Sequence, residues 1–241
     1  MRDYQAEFEG RVSFIRELVK SSGVSGIVFG NSGGKDSALV GILCKAACEN
    51  TVGVIMPCAS RRNYGMDADD GRALAEQFGI ETRMVDLTAV REALMEQLSA
   101  VTELNSQAIT NLAPRLRMTT LYGIAAAESR LVAGTGNRSE AYMGYYTKWG
   151  DGACDFNPIS DLTATEVLEF LEYLKALRCI IDKAPSAGLF DGQTDEAEMG
   201  VSYRAIDDYL LYGRVNEKDK AGIDGYHRRS EHKRRPISTY K

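Results

Sequence analysis

Apolar positions along the first half of the chain switch between two spacings. Residues 23–30, GVSGIVFG, form a short apolar run closed by glycine, the pattern of a buried strand. From Asp36 the spacing changes: Leu39, Ile42, Leu43, Ala46 and Ala47 fall on one face of a helix. TVGVIMP (51–57) is strand-like again and is stopped by proline. DADDGRALAEQFG (67–79) reads as a helix, acidic in its first turn and ended by glycine, and IETRMVDL (80–87) as a third strand. A long helical stretch over 88–130 is expected to break near Pro114, and RLVAGTG (130–136) is a further strand that runs into a glycine turn. Residues 144–162 read as an ordered loop, with helices at 163–177 and about 195–212. From Gly213 the chain is polar and charged, and the pattern assigns no element.

Strands and helices alternating at this spacing predict βαβ units and a parallel sheet. The expectation is an α/β fold with an open, mainly parallel sheet and helices on both faces. It forms a single domain over 1–241, with a core at 1–212 and a polar C-terminal tail at 213–241.

Composition narrows the partners. The 241 residues are 44% hydrophobic and carry 29 Lys and Arg against 34 Asp and Glu, a net charge of −5. That balance is adequate for a large core and speaks against non-specific nucleic-acid binding. The one basic cluster, HRRSEHKRR (227–235), comes without an aromatic stacking platform. The N-terminus lacks the pattern of a signal peptide, and no apolar run approaches the ~20 residues of a membrane helix. The five cysteines, Cys44, Cys48, Cys58, Cys154 and Cys179, are odd in number and lack CxxC spacing, so neither a disulfide framework nor a zinc site is expected. A reducing cytoplasm is the natural setting.

Chemistry concentrates in GNSGGKDS (30–37), between the first strand and the first helix after it. Ligands of open α/β sheets bind at such a place. Gly33 and Gly34 allow close backbone approach, the first amides of the helix point at an anion, and Ser32 and Ser37 add hydroxyl donors. A Walker A loop is excluded, because its first glycine would fall at Phe29 and Asp36 stands where its hydroxyl residue belongs. The G-x-G-x-x-G fingerprint is absent from the stretch. Asp36 beside phosphates would be repulsive unless a cation lies between them, and a hard oxygen ligand there points to Mg2+.

The S-G-G-x-D-S pattern resembles the loop of the ATP pyrophosphatases, the PP-loop enzymes that cleave ATP between its α and β phosphates. Five further blocks extend the likeness: NLAPRLRMTTLY (111–122), GTGNRSEAYMGYYTKWGDGACDFNPISDLT (134–163), KAPSAGL (183–189), DEAEMGVSYRAIDDYL (195–210) and EHKRRP (231–236). In this order they resemble the ammonia-dependent NAD synthetase family, over nearly the whole chain. The resemblance implies a ligase of the final step of NAD biosynthesis. Such an enzyme condenses nicotinic acid adenine dinucleotide (deamido-NAD) with ammonia through an ATP-derived acyl-adenylate, and releases AMP and pyrophosphate. It also implies a homodimer, with the dinucleotide near the subunit interface.

By the same resemblance, Gly30, Asn31, Ser32, Gly33, Gly34, Lys35, Asp36 and Ser37 hold ATP, together with Thr135 and Ser186. Asp36 and Glu140 carry the metal. Arg115 matches a dinucleotide-binding position, with Arg117 two residues on and easily confused with it. Lys148 and Asp155 match substrate contacts, and Asp151 between them is a candidate for positioning ammonia. Asp36, Lys148 and Asp151 are thus the candidate catalytic residues. His232 and Lys233 match a pair that touches the dinucleotide, although composition alone makes the tail a solvated charge run. One departure stands out: a lysine that contacts ATP phosphates in the family is here Ala164, in DLTATEV. Lys35 is a candidate to supply the missing charge.

A glutaminase domain would need a couple of hundred residues and a reactive cysteine with its partners. The phosphate loop begins at residue 30, and both histidines, His227 and His232, lie near the C-terminus. Free ammonia is the expected nitrogen donor, with a separate glutaminase partner left open. Two other readings remain: a PP-loop enzyme that adenylates a nucleotide or tRNA base, and a silent nucleotide-binding protein with Ala164 as its symptom. The net charge speaks against the first. The joint presence of Asp36, Glu140, Lys148 and Asp155 speaks against the second. The loops at 58–66 and 186–195 and the tail are candidates to close over substrates.

Overall fold

The computed structural model describes residues 2–58, 64–183 and 194–240. It opens on an element that the spacing of 23–136 does not announce, helix α1 (Tyr4–Ser22). The Asp3 carboxylate caps it by accepting from the amides of Gln5 and Ala6, and Gly23 closes it in the left-handed region at φ 67°. Then come β1 (Gly26–Gly30), α2 (Lys35–Ala47), β2 (Thr51–Ile55), α3 (Met66–Phe78), β3 (Glu81–Met84), α4 (Thr88–Ser99), α5 (Ser106–Thr110), α6 (Leu112–Glu128) and β4 (Arg130–Ala133). The strands form one parallel sheet in the order β3-β2-β1-β4, with Val28 of β1 opposite both Val52 and Val132.

The expected helical stretch over 88–130 is three helices, and Pro114 does not break it. Pro114 sits in the first turn of α6, where its missing N–H is not needed. The interruption falls between α4 and α5, where the Asn105 side chain restarts the helix by accepting from the Ala108 amide.

Side-chain alternation along β1 explains why both faces of the sheet are covered. Ile27 and Phe29 pack with Val12 and Ile15 of α1 and Leu39 and Leu43 of α2. Val28, between them, faces the other way with Val52, Val54 and Val132, under Ala113 and Ala125 of α6. Burying each of these large side chains is worth about 1.5–3 kcal/mol. Residues 144–162 are a loop, held to the sheet by a parallel bridge between Ala133 and Phe156.

The second half continues through α7 (Arg138–Met143), α8 (Ala164–Tyr173), α9 (Arg178–Ile181), α10 (Asp195–Met199), α11 (Tyr203–Tyr212), α12 (Glu217–Arg229) and α13 (Glu231–Arg234). The segment from Gly213, which the sequence pattern leaves without an element, is therefore mostly helical. Asn216 caps α12, and Ile223 is buried in a third core with Met143, Met199, Val201, Tyr203 and Ile206. Hydrogen bonds do the rest. Ser230 Oγ donates to the Met143 carbonyl at 3.2 Å, Arg234 Nη1 to the Tyr142 carbonyl at 3.2 Å, and Lys233 Nζ to the Gly144 carbonyl at 2.7 Å. Cationic side chains thus satisfy the open carbonyls at the end of α7. A helix that packs Ile223 and Tyr226, and is held down by the polar and cationic residues that follow it, leaves almost no hydrophobic periodicity to detect. No helix among the described residues is long and apolar enough to cross a membrane.

Ile223→Ala tests whether the C-terminal helices belong to the core. Urea unfolding should show a loss of about 2–5 kcal/mol. An unchanged midpoint would mean that α12 is not part of the cooperative unit.

Candidate active site

β1 ends at Gly30, and the chain turns through 31–34 into α2 at the carboxyl edge of the sheet. Buried Asn31 fixes the turn by donating Nδ2 to the Gly71 carbonyl of α3 at 2.8 Å. Gly33 has φ 69°, and a Cβ there would stand 2.1 Å from the Asp67 carbonyl oxygen, so only glycine fits. Ser32 Oγ lies 3.0 Å from Ser37 Oγ, and Ser37 Oγ donates to the Gly34 carbonyl at 3.0 Å. Gly34 is extended, at φ −100° and ψ 165°, and caps α2 without a side chain. The helix's first amides are left to an anion.

Carboxylates gather beside this cradle. Asp36 Oδ2 accepts from Lys35 Nζ at 2.6 Å, and Asp36 Oδ1 from Asn137 Nδ2 at 3.0 Å. Asn137, fully buried, also caps α7: its Oδ1 accepts from the Glu140 amide at 3.0 Å, while Glu140 Oε2 accepts from the Asn137 amide at 3.1 Å. Burial first, and the Asp36 charge second, push the Glu140 carboxyl well above the usual carboxylate range. Lys35 is only 7% exposed, and its Nζ lies 5.2 Å from the centre of the Tyr203 ring. Burial opposes its charge, but Asp36 and Glu140 outweigh it, and the net shift of Lys35 is upward. The Tyr203 hydroxyl donates to Asp195 Oδ2 at 3.1 Å. Ala164, the first residue of α8, is buried in the same cluster as Tyr203, and its amide donates to Ser139 Oγ.

A cleft of ≈ 1290 Å3 runs from the cradle to the C-terminal helices and brings together most of the residues singled out in the sequence. Thr135, Glu140, Arg115, Arg117, Lys148, Asp151, His232 and Lys233 all line it. Arg117 donates Nε to the Met56 carbonyl at 3.1 Å, whereas exposed Arg115 barely touches the Lys148 carbonyl at 3.5 Å. Lys148 Nζ donates to the His232 carbonyl at 2.8 Å and lies 5.4 Å from the centre of the Trp149 ring. Asp151 Oδ1 accepts from the Thr147 amide at 2.9 Å. The residue is open to cleft water, yet crowding by the surrounding protein pushes its carboxyl upward. Lys233 Nζ donates to the Gly144 and Tyr146 carbonyls, which leaves one of its three N–H groups, and burial lowers its pKa.

Asp155 stands apart. It is not in the cleft wall; its Oδ2 accepts from the Val132 amide at 2.7 Å and its Oδ1 from the Tyr122 hydroxyl at 3.1 Å. Ser186 lies outside the described residues.

The structure adds residues that the motif reading passed over. Asn137 and Asp195 sit inside the quoted blocks, but only the fold shows them facing Asp36 and Tyr203. Lys183 donates to the Gly33 carbonyl at 3.1 Å and pairs with Asp67 at 2.7 Å and Asp70 at 2.6 Å, tying the glycine turn to α3. Its position at the head of KAPSAGL was the only available signal.

An anion cradle after the central strand of a parallel sheet, with carboxylates beside it and a cation-lined cleft beyond, defines an enzyme that works on nucleotides. Residues 7–237 match the family model described as NAD synthase, and the chain belongs to that family. It is 45% identical to an NH3-dependent NAD(+) synthetase of Carboxydothermus hydrogenoformans, over 97% of this chain and 96% of that protein. Its fold matches that of an NMN synthetase from Francisella tularensis with a TM-score of 0.94 and 36% identity, covering 100% of this chain and 99% of the other. An NH3-dependent NAD synthetase from Campylobacter jejuni follows at a TM-score of 0.81 and 30% identity, with 100% of both chains covered. The expected PP-loop fold and the expected ATP-using, ammonia-dependent NAD synthetase, a carbon–nitrogen ligase, are thereby met.

Two substitutions test the site. Gly33→Ala adds about 1–2 kcal/mol of left-handed strain to the clash with Asp67. Calorimetry should show ATP binding weakened at least about tenfold, which is 1.4 kcal/mol; unaltered binding in a folded variant would remove the loop from the ATP site. Glu140, with its pKa raised above 4.5 in the fold, stabilises the protein through its neutral form. That contribution is fully present below the unfolded value and is lost as pH rises through the folded one. Glu140→Gln stays neutral and keeps the capping oxygen. Its melting temperature should exceed that of the wild type at pH 8 and converge with it near pH 4.5.

Proposed function

We propose that the protein amidates deamido-NAD with ammonia, and that the cleft holds both nucleotides. The observation that carries this reading is the placement of the phosphate loop, the Asp36–Glu140 pair and the Lys148–Asp151 loop along one continuous cleft. A carboxylate is a poor electrophile. One of its oxygens attacks the α-phosphorus of ATP, pyrophosphate leaves, and an acyl-adenylate forms. Ammonia then attacks the acyl carbon, AMP leaves, and a proton is shed from nitrogen. The work left to the protein is to position two anions and to neutralise charge on the leaving group.

Gly30, Asn31, Ser32, Gly33, Gly34, Lys35, Asp36 and Ser37 cradle the ATP phosphates, assisted by Thr135 and Ser186. Lys35, free to exchange Asp36 for a phosphate oxygen, takes the part of the cation missing at Ala164. Arg115, Lys148, His232 and Lys233 receive the acid substrate. Asp155 joins them only from outside the cleft wall. Asp151, more basic than an ordinary aspartate because its carboxyl is crowded, takes the proton shed by nitrogen.

Asp36 and Glu140 suit Mg2+. Among the described residues no group of three or more His, Cys, Asp or Glu is arranged to hold a metal. Two neighbouring carboxylates that share the ion with ATP are the usual arrangement for Mg2+, which keeps waters and phosphate oxygens as its other ligands. The ion would supply positive charge to the phosphate oxygens. Burial and then the Asp36 charge push the Glu140 carboxyl upward, which supports a place for a cation beside the pair. A cytoplasmic homodimer, fed by ammonia from solution or from a separate glutaminase, completes the reading.

One observation favours a second acid substrate. The Francisella tularensis NMN synthetase matches this fold more closely than the Campylobacter jejuni NAD synthetase does. Nicotinic acid mononucleotide is then a candidate beside the dinucleotide.

The test mixes protein, ATP, Mg2+ and deamido-NAD with either ammonium or glutamine. NAD and AMP should appear in equal amounts with ammonium, and neither should appear with glutamine or after EDTA. Absence of AMP under every condition would overturn the reading. Lys35→Gln should lower kcat/KM for ATP about tenfold or more, the worth of a charge-assisted contact. Wild-type kinetics would show that Lys35 does not replace the missing cation.

A further inference from the structure

Beside the cleft at Lys148 lies a second concavity of ≈ 700 Å3, walled by Lys148, Trp149, Arg228, Arg229, His232 and Arg235. Lys148, Trp149, Arg229, His232 and Arg235 line the main cleft as well, so the two spaces adjoin. Positive charge is in excess here although the chain as a whole carries −5. The carboxylate in the wall, Glu231, is occupied by Arg235 at 2.6 Å. Arg229 stacks on the Tyr226 ring at 4.9 Å. Arg228 is exposed and forms no ion pair or hydrogen bond among the described residues.

Trp149 marks the mouth. It is 54% exposed and adopts φ 60°, a left-handed conformation that bulky residues avoid. Backbone strain is thus accepted where an indole is turned towards solvent beside a cationic pocket. Charge for a phosphate and a flat ring for a base is the combination that binds nucleotides. The ATP cradle does not contribute to this pocket.

We propose that this pocket is a phosphomonoester site: it receives the terminal phosphate of a pyridine-carboxylate mononucleotide and makes nicotinic acid mononucleotide a substrate for amidation. The proposal rests on the ammonia-dependent amidation argued above. A terminal phosphate carries about −1.5 to −2 charges at neutral pH and three strong acceptor oxygens, and arginine forks match it. Each phosphate of a dinucleotide bridge carries a single charge and fewer free oxygens. Arg228, which faces the Asp224 charge but has no ion pair or hydrogen bond to give up among the described residues, is the residue on which the difference falls most heavily.

Trp149 is the chain's single tryptophan, so its fluorescence reports the pocket directly. Titration with nicotinic acid mononucleotide, and with inorganic phosphate as a competitor, is the first arm. The second compares kcat/KM for the mononucleotide and for deamido-NAD in the wild type, Arg228→Gln and Arg235→Gln; both substitutions are on exposed side chains and leave the core intact. The expected result is a fluorescence change that saturates, turnover of the mononucleotide, and a rise in its KM in Arg228→Gln. The ratio of mononucleotide to dinucleotide kcat/KM should fall about tenfold or more, as for loss of a charged hydrogen bond. Turnover of deamido-NAD alone would overturn this proposal and leave the amidation reading standing. AMP from neither acid would overturn both. Mononucleotide turnover unaffected by either arginine change would remove the phosphate site from this pocket.

Discussion

The hydrogen bond from Asn137 Nδ2 to Asp36 Oδ1 joins the two halves of the candidate cleft. Asn137 begins α7 after β4, and Asp36 lies in the first turn of α2 after β1. The side chain that starts one helix therefore sets the position of a carboxylate on another. Because β1 and β4 are neighbours in the sheet, their carboxyl-end loops must meet, and this bond fixes how. Glu140 is brought to Asp36 by the same capping box, so the spacing of two like charges follows from helix geometry.

That spacing carries an electrostatic cost in the free protein. Asp36, Glu140 and Asp195 converge on a buried lysine and a tyrosine hydroxyl, and the carboxyl proton of Glu140 is retained above its ordinary range. Lys35 relieves part of the repulsion through Asp36. Such an arrangement is poor for stability and well suited to receiving cations and polyphosphate together, the usual trade at sites built for charge transfer.

The C-terminal helices decide the rest of the cleft. Ser230, Lys233 and Arg234 bind backbone carbonyls around 141–146, and Lys148 returns a bond to the His232 carbonyl. The loop that carries Lys148, Trp149 and Asp151 is thereby clamped against α13. The basic residues divide their work: some cap carbonyls and hold the wall, while Arg228 and His232 remain turned to the cleft region. A charge run that composition alone would assign to solvent becomes a structural clasp and one wall of a pocket.

Much of this was legible in the residues. The strand–glycine–helix pattern at 23–47 located the cradle, because a left-handed glycine and a helix start are local requirements. The alternating spacings of 23–136 announced a parallel sheet, since period depends only on local geometry. Motif order carried the family. Other features were not local. α1 and α12 are held by what they pack against, and Pro114 sits in the first turn of α6 instead of breaking the helix. Asp155 faces Tyr122 and the edge of β4, away from the cleft that its motif neighbours line, because strand pairing decides which way each loop side chain turns. The chain by itself determined the fold class, the glycine turn between β1 and α2, and the family. Only the tertiary structure decided which distant charges face one another, since burial and pairing across the sheet depend on residues a hundred positions apart.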